Sequence, residues 1–216
     1  MIHEPFTVYV GTKSTVCSGV ILDHKTILTA AHCLEDVSPR QIEVYAGVRT
    51  KSQFGSPLAV QRFIVHPDFD RTTLTNDLAI IKMKDPLKFG SRTGRISLYY
   101  DDVEDGRDAY VTGWGVNLDG RLSQSIRMLP VRIFPNVACL RKFGSDFDGD
   151  LQVCAGTLGQ DFCIGDSGGP LVIFHNNIPY LLGIVSYTGE QCSDGRPSVY
   201  TKMKTYRRFI EQHLEE

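Results

Sequence analysis

Gly165-Asp166-Ser167-Gly168-Gly169-Pro170-Leu171-Val172-Ile173-Phe174 carries two messages in one short stretch. Small and turn-forming residues deliver the chain into four consecutive apolar residues, and His175-Asn176-Asn177 stops them. A run that short, punctuated by Gly, Pro and Asn, reads as a buried strand. The same pattern recurs outward in both directions, at residues 7–10, 18–22, 41–46, 58–65, 78–83, 109–113, 126–134, 180–186 and 199–202. Regular short runs of β-branched and aromatic residues predict an all-β protein. Helical periodicity is clear only near the end, where Tyr206, Phe209, Ile210 and Leu214 share one face and Thr205 is placed to cap the helix. The least strand-like stretch, 84–110, is the expected crossover between two β units.

The chain of 216 residues suits one large all-β domain or two small ones closely joined, and it shows no internal repeat or low-complexity linker. With 23 Lys and Arg against 25 Asp and Glu, the net charge of −2 offers no basic surface for a phosphate backbone, so nucleic acid is excluded as a partner class. Hydrophobic residues make up 42% and charged residues 22%, which excludes wholesale disorder. No apolar run approaches the ~18 residues that cross a bilayer. Six cysteines, Cys17, Cys33, Cys139, Cys154, Cys163 and Cys192, form an even set without the C-x₂-C spacing of a zinc site, which reads as disulfides and an oxidising compartment. Residues 1–10 contain neither a basic nor a long apolar stretch of a secretion signal, so a natural N-terminal segment is expected to precede them.

Three segments carry candidate chemistry. Around Ser167, small neighbours permit a sharp turn and close approach of a carbonyl, while the amides of Gly165 and Ser167 are placed to point at one oxyanion. Thr29-Ala30-Ala31-His32-Cys33 ends an apolar run in an imidazole able to take a hydroxyl proton and return it to a leaving amine. Asn76-Asp77-Leu78-Ala79-Ile80-Ile81 sets an acid just before an apolar strand. Alone, each has an ordinary explanation as a loop, a core histidine or a turn aspartate. Their order, His then Asp then Ser, is one of the known linear arrangements of a triad.

These segments, with Gly113-Trp114-Gly115 and Pro-Ser-Val-Tyr-Thr-Lys at 197–202, resemble the trypsin/chymotrypsin-like serine endopeptidases over almost the whole chain. The resemblance implies two packed six-stranded antiparallel Greek-key barrels, at about 1–100 and 101–202, and a C-terminal helix at 204–214, all within a single peptidase domain, 1–216. It implies peptide-bond hydrolysis through an acyl-enzyme, with Ser167 as nucleophile, His32 as general base then acid, Asp77 orienting the imidazole, and Gly165 and Ser167 forming the oxyanion hole. Ser186 is expected to hydrogen-bond the triad acid and to pair with substrate through its backbone. The implied bridges are Cys17–Cys33, Cys139–Cys154 and Cys163–Cys192, each closing a short loop at about 3 kcal/mol in the chain-entropy account.

Asp161 matches the floor of the primary pocket, which implies Arg or Lys before the scissile bond. The alternative is that Asp161 caps a loop or pairs with a neighbour. Phe162 replaces a small residue, and Thr188 and Ser198 stand on walls where trypsins have glycine, so an elastase-like preference is the specificity alternative. Ile164, Leu74 and Tyr187 are expected to add apolar surface beside the pocket. No acid lies between Glu43 and Asp68, where calcium-binding relatives supply carboxylates, and Pro197 replaces the aromatic of sodium-binding relatives. No metal, no cofactor and no Asn-x-Ser/Thr glycosylation site are therefore expected. The protein is expected to be secreted and monomeric, with peptide or protein substrates and protein protease inhibitors as partners, and with no membrane partner. The family's activation pairs a new N-terminal ammonium with the acid before the nucleophile, here Asp166, and residues 1–5 do not match the usual Ile-Val-Gly-Gly start. A catalytically silent, zymogen-like homologue that binds or regulates a partner is thus the competing reading, and Arg121 is the expected self-cleavage point.

Overall fold

Valine, isoleucine and threonine dominate the first strands because branched side chains fit a pleated surface buried on at least one face. In the computed structural model, which describes residues 5–115, 121–157, 167–188 and 197–214, these runs form β1 (Thr7–Gly11), β2 (Val16–Ile21), β3 (Thr26–Thr29), β4 (Glu43–Tyr45), β5 (Val60–Val65) and β6 (Ala79–Met83). They pair antiparallel in the order β4-β1-β2-β3-β6-β5. The turn from β1 to β2 is held by Thr12, whose hydroxyl accepts from the amides of Ser14 and Thr15. A Val44–Leu58 bridge draws β4 toward the chain entering β5 and curls the sheet into a barrel around Val8, Val10, Ile21, Ile27 and Ile81.

The second half contributes β7 (Ser97–Leu98), β8 (Asp108–Gly113), β9 (Arg127–Ile133), α1 (Asn136–Phe143), β10 (Gln152–Gly156), β11 (Pro170–His175), β12 (Ile178–Tyr187), β13 (Ser198–Lys202) and α2 (Arg207–Glu211). Because β11 pairs with both β8 and β12, six strands close on themselves, which leaves no long open edge. The β11–β12 hairpin turns on Asn176 and Asn177, with φ of 51° and 62°, a conformation asparagine tolerates and hairpin twist favours. The second core gathers Val111, Val131, Ile173, Leu182 and Tyr200. A third, formed by Val20, Leu28, Leu78, Ile80, Val172, Ile184 and Met203, joins strands of both sheets and cements barrel to barrel. This is the expected all-β architecture of two packed barrels and a C-terminal helix.

Four details depart from expectation. The short β7 adds a seventh strand to the second sheet, and it lies parallel to β12. Strands β3 and β10 were not among the expected runs; Gln152–Gly156 is too mixed in composition to announce itself, yet it is wholly buried. Helix α1 was not expected; Cys139 is its one fully buried residue, Ala138 and Phe143 pack beside it, and the Cys139–Cys154 bridge ties it to β10. The C-terminal helix is shorter than residues 204–214, and Thr205 does not cap it: its hydroxyl donates to the Asp150 carbonyl at 2.5 Å, and Tyr206 stands at the cap position. The Cys17–Cys33 bridge is formed as expected, while Cys163 and Cys192 lie outside the described residues. Among the described residues no helix is long and apolar enough to cross a membrane.

Candidate active site

Asp77 sits at the mouth of β6 with none of its side chain exposed. A carboxylate removed from water must be compensated by donors. His32 supplies two, its ring Nδ1 to Asp77 Oδ2 at 2.7 Å and its backbone amide to Oδ1 at 3.0 Å. The Ser186 hydroxyl, from β12, donates to Oδ2 at 2.5 Å, and the Thr201 hydroxyl, from β13, donates to the Asp77 carbonyl at 2.9 Å. Both barrels therefore grip one acid. His32 lies on a 3₁₀ turn (Ala31–Leu34) directly after β3, with Cys33 anchored to Cys17, so its ring has little freedom.

The contact to Asp77 fixes the proton on Nδ1 and leaves the Nε2 lone pair as the basic position. Burial pushes the imidazole pKa down, but the charge and hydrogen bond of Asp77, with a smaller push from Glu35, hold it above the ordinary histidine value. Glu35 is engaged by Arg71, whose Nε lies 3.0 Å from its carboxylate.

Ser167 is brought to the same place through its backbone. Its carbonyl accepts from the Ser18 amide of β2 at 2.8 Å and lies 3.8 Å from Cys33 Sγ, the atom that also lies 3.8 Å from His32 Nε2. The next residue explains why glycine is needed there. Gly168 has φ of 77°, and a Cβ on it would overlap Thr29 Oγ1 and the Ser18 carbonyl and stand 2.9 Å from the Ala30 amide. Its amide donates to Val185 at 2.8 Å, and the Val185 amide donates to Gly169 at 2.9 Å, so the turn is sewn to β12 from both sides. No hydrogen bond between Ser167 Oγ and His32 Nε2 is formed among the described residues.

An acid, an imidazole and a serine from three distant segments thus converge across two barrels, and residues 1–210 match the family model described as Trypsin. The chain belongs to the trypsin family. Trypsin iota of Drosophila melanogaster is 35% identical over 198 residues, covering 90% of this chain and 77% of that protein. Hypodermin-B of Hypoderma lineatum is 34% identical over 204 residues, covering 92% and 78%, and a trypsin of Sarcophaga bullata is 34% identical over 209 residues, covering 94% and 80%. Serine protease chemistry is the shared background of this family.

Of the pocket residues expected in this trypsin-family chain, Asp161, Phe162 and Ile164 lie outside the described residues, as do Gly165 and Asp166. Ser198, Tyr187 and Thr188, the residues expected on the other wall, are described. Ser198, 1% exposed at the start of β13, donates its hydroxyl to Thr188 Oγ1 at 3.1 Å. Tyr187 points its hydroxyl at the Asp146 carbonyl, 2.8 Å away, and sets its ring edge-on to Phe143. Burial leads the forces that push its pKa up to about 12, so the hydroxyl stays a donor. Leu74 lies in the loop before Asp77 with φ of 52°. One compact cluster of metal-ligating types occurs among the described residues, Cys17, His32 and Cys33, and its two sulfurs are already joined to each other. Residues that the sequence did not single out for the site are Ser18, Thr29 and Thr201; Thr29 and Thr201 stood inside quoted motifs, but only the fold reveals that the Thr29 hydroxyl meets the Ser18 carbonyl and the Thr201 hydroxyl meets Asp77.

Proposed function

We propose that this chain is a secreted serine endopeptidase that hydrolyses peptide or protein substrates through an acyl-enzyme, within one two-barrel peptidase domain. The carrying observation is the Asp77–His32 pair, a fully buried acid bonded to an imidazole whose Nε2 is left basic, beside the backbone of Ser167. In this reading Ser167 attacks the scissile carbonyl, His32 takes its proton and returns it to the leaving amine, and Asp77 stabilises the imidazolium. Gly165 and Ser167 supply the oxyanion donors and Ser186 borders the bound chain. The protein acts as a monomer, with protein inhibitors as further partners. Purified protein should hydrolyse a short Arg or Lys ester, and Ser167→Ala should abolish that hydrolysis. An equal rate for the variant rejects the reading.

The preferred residue before the cleaved bond is Arg or Lys, on the strength of Asp161. The Ser198–Thr188 hydroxyl pair favours a second specificity, for small side chains, because two Cβ atoms and a hydrogen bond stand where a long side chain would pass. Replacing both by glycine should raise kcat/KM for Arg over Ala substrates by about 10–200-fold if the pair restricts the pocket. The unmade Ser167–His32 hydrogen bond favours the other alternative, a silent homologue that binds a partner. Such bonds often tighten only with substrate in place, so the ester assay decides between them.

A further inference from the structure

We propose that Thr201 and Tyr206 are positioning residues for the catalytic acid: two hydroxyls, one on β13 and one at the start of α2, hold the Asp77 carbonyl and the Asn76 side chain and so aim the carboxylate at His32. The inference rests on the hydrolase reading of the site and deepens it. The loop entering Asp77 is strained, with Leu74 at φ 52° and Asn76 at φ 56°. A bulky residue with positive φ persists only where its surroundings hold it. Local bonds do part of this work. Asp70 and Thr75 form a bridge, the Thr73 and Thr75 hydroxyls lie 2.9 Å apart, and the Leu78 amide closes a tight turn on the Asn76 carbonyl at 2.9 Å.

The remaining anchors come from far along the chain. Tyr206 donates its hydroxyl to Asn76 Oδ1 at 3.0 Å, while Asn76 Nδ2 donates to the Asp68 carbonyl at 2.8 Å, so the asparagine is held from both ends. One residue on, the Thr201 hydroxyl holds the Asp77 carbonyl at 2.9 Å. The C-terminal segment therefore grips the residue before the acid and the acid's own peptide. Tyr206 is itself fixed, buried and set edge-on to His66 with ring centres 5.3 Å apart. Burial pushes its pKa up, so it remains a donor across the working pH range. Its placement also accounts for a local irregularity. Tyr206 occupies the cap position of α2, where Ser, Thr, Asp or Asn would serve the helix better, and it offers the helix no side-chain cap. The side chain is committed to Asn76 instead.

The test removes each hydroxyl with little change of shape, as Tyr206→Phe and Thr201→Val, and uses Thr205→Val as the control on the same segment, whose hydroxyl goes to Asp150. Two readouts are taken: steady-state kinetics, and the titration of the His32 imidazole by NMR. Tyr206→Phe and Thr201→Val should each lower kcat about tenfold with KM within about twofold, because sub-ångström misplacement acts on the chemical step. In both, the His32 pKa should fall, while Thr205→Val leaves kinetics and titration unchanged. A lowered melting temperature with kcat and His32 titration unmoved overturns the inference. Should wild type prove inactive, the hydrolase reading fails by itself, and the His32 titration still decides whether the clamp acts on Asp77.

Discussion

Asp77 and Ser167, the proposed acid and nucleophile, are held in opposite ways. The side chain of Asp77 is gripped directly: a ring nitrogen, the Ser186 hydroxyl and the His32 backbone amide converge on its carboxylate, while the Thr201 hydroxyl holds its carbonyl. Among the described residues Ser167 is held through its backbone, by the Ser18 amide on one side and the Gly168 turn against β12 on the other. The difference follows from what each must do. A buried carboxylate needs its donors in every state of the reaction, since losing one leaves charge uncompensated. A nucleophile must exchange its partner during the reaction, which suits a proposed nucleophile whose peptide, rather than its hydroxyl, is fixed by the fold.

The largest effect should come from breaking the acid side. Asp77→Asn preserves shape but removes the charge and the fixed Nδ1 proton, and should lower kcat on the order of 10⁴, the scale long established for this family's triad. Loss confined to KM in steady-state assays would contradict the role of Asp77. On the nucleophile side, Gly168→Ala should destabilise the protein by about 3 kcal/mol, because the methyl meets Thr29 and Ser18 at a backbone angle that favours glycine. A denaturant midpoint equal to wild type would show that the β2 contact does not fix the turn.

A gentler probe is pH. The His32 pKa is raised in the fold, so the basic Nε2 appears only above a pH higher than the ordinary ~6.5. The profile of kcat/KM should rise through that point, and Asp77→Asn should move the midpoint down. The sign for stability is the reverse. A raised pKa in the folded state means that His32 contributes stability fully present below ~6.5, and lost as pH rises through the folded value. Urea midpoints measured across that window should fall with rising pH in wild type and fall less in Asp77→Asn.

Much of this contrast is legible in the sequence alone. Short apolar runs between Gly, Pro and Asn announce the barrels, and His32 ends such a run, Asp77 stands just before one, and Ser167 sits among the small residues that lead into another. What stayed hidden depends on distant contacts. Nothing near Thr201 in sequence tells that its hydroxyl reaches residue 77, and the space around Gly168 is set by β2 and β3, more than 130 residues earlier. Helix α1 was hidden for a related reason: its short apolar face, Ala138, Cys139 and Phe143, finds its partners and its disulfide only in the fold. Thr205 looked like a cap because its local sequence fits one, and a tertiary acceptor, the Asp150 carbonyl, won the hydroxyl. The cap position then fell to Tyr206, which the fold had use for elsewhere.

The most direct test of the account asks where covalent chemistry occurs. Wild-type protein is treated with a chromogenic ester that leaves a slowly released acyl group, the burst of product is counted, and the labelled residue is mapped by mass spectrometry. The account predicts one acyl group per chain, on Ser167, with the burst slowed severely in His32→Ala and Asp77→Asn. A label on another residue, or a burst that is unchanged when His32 is removed, would contradict it.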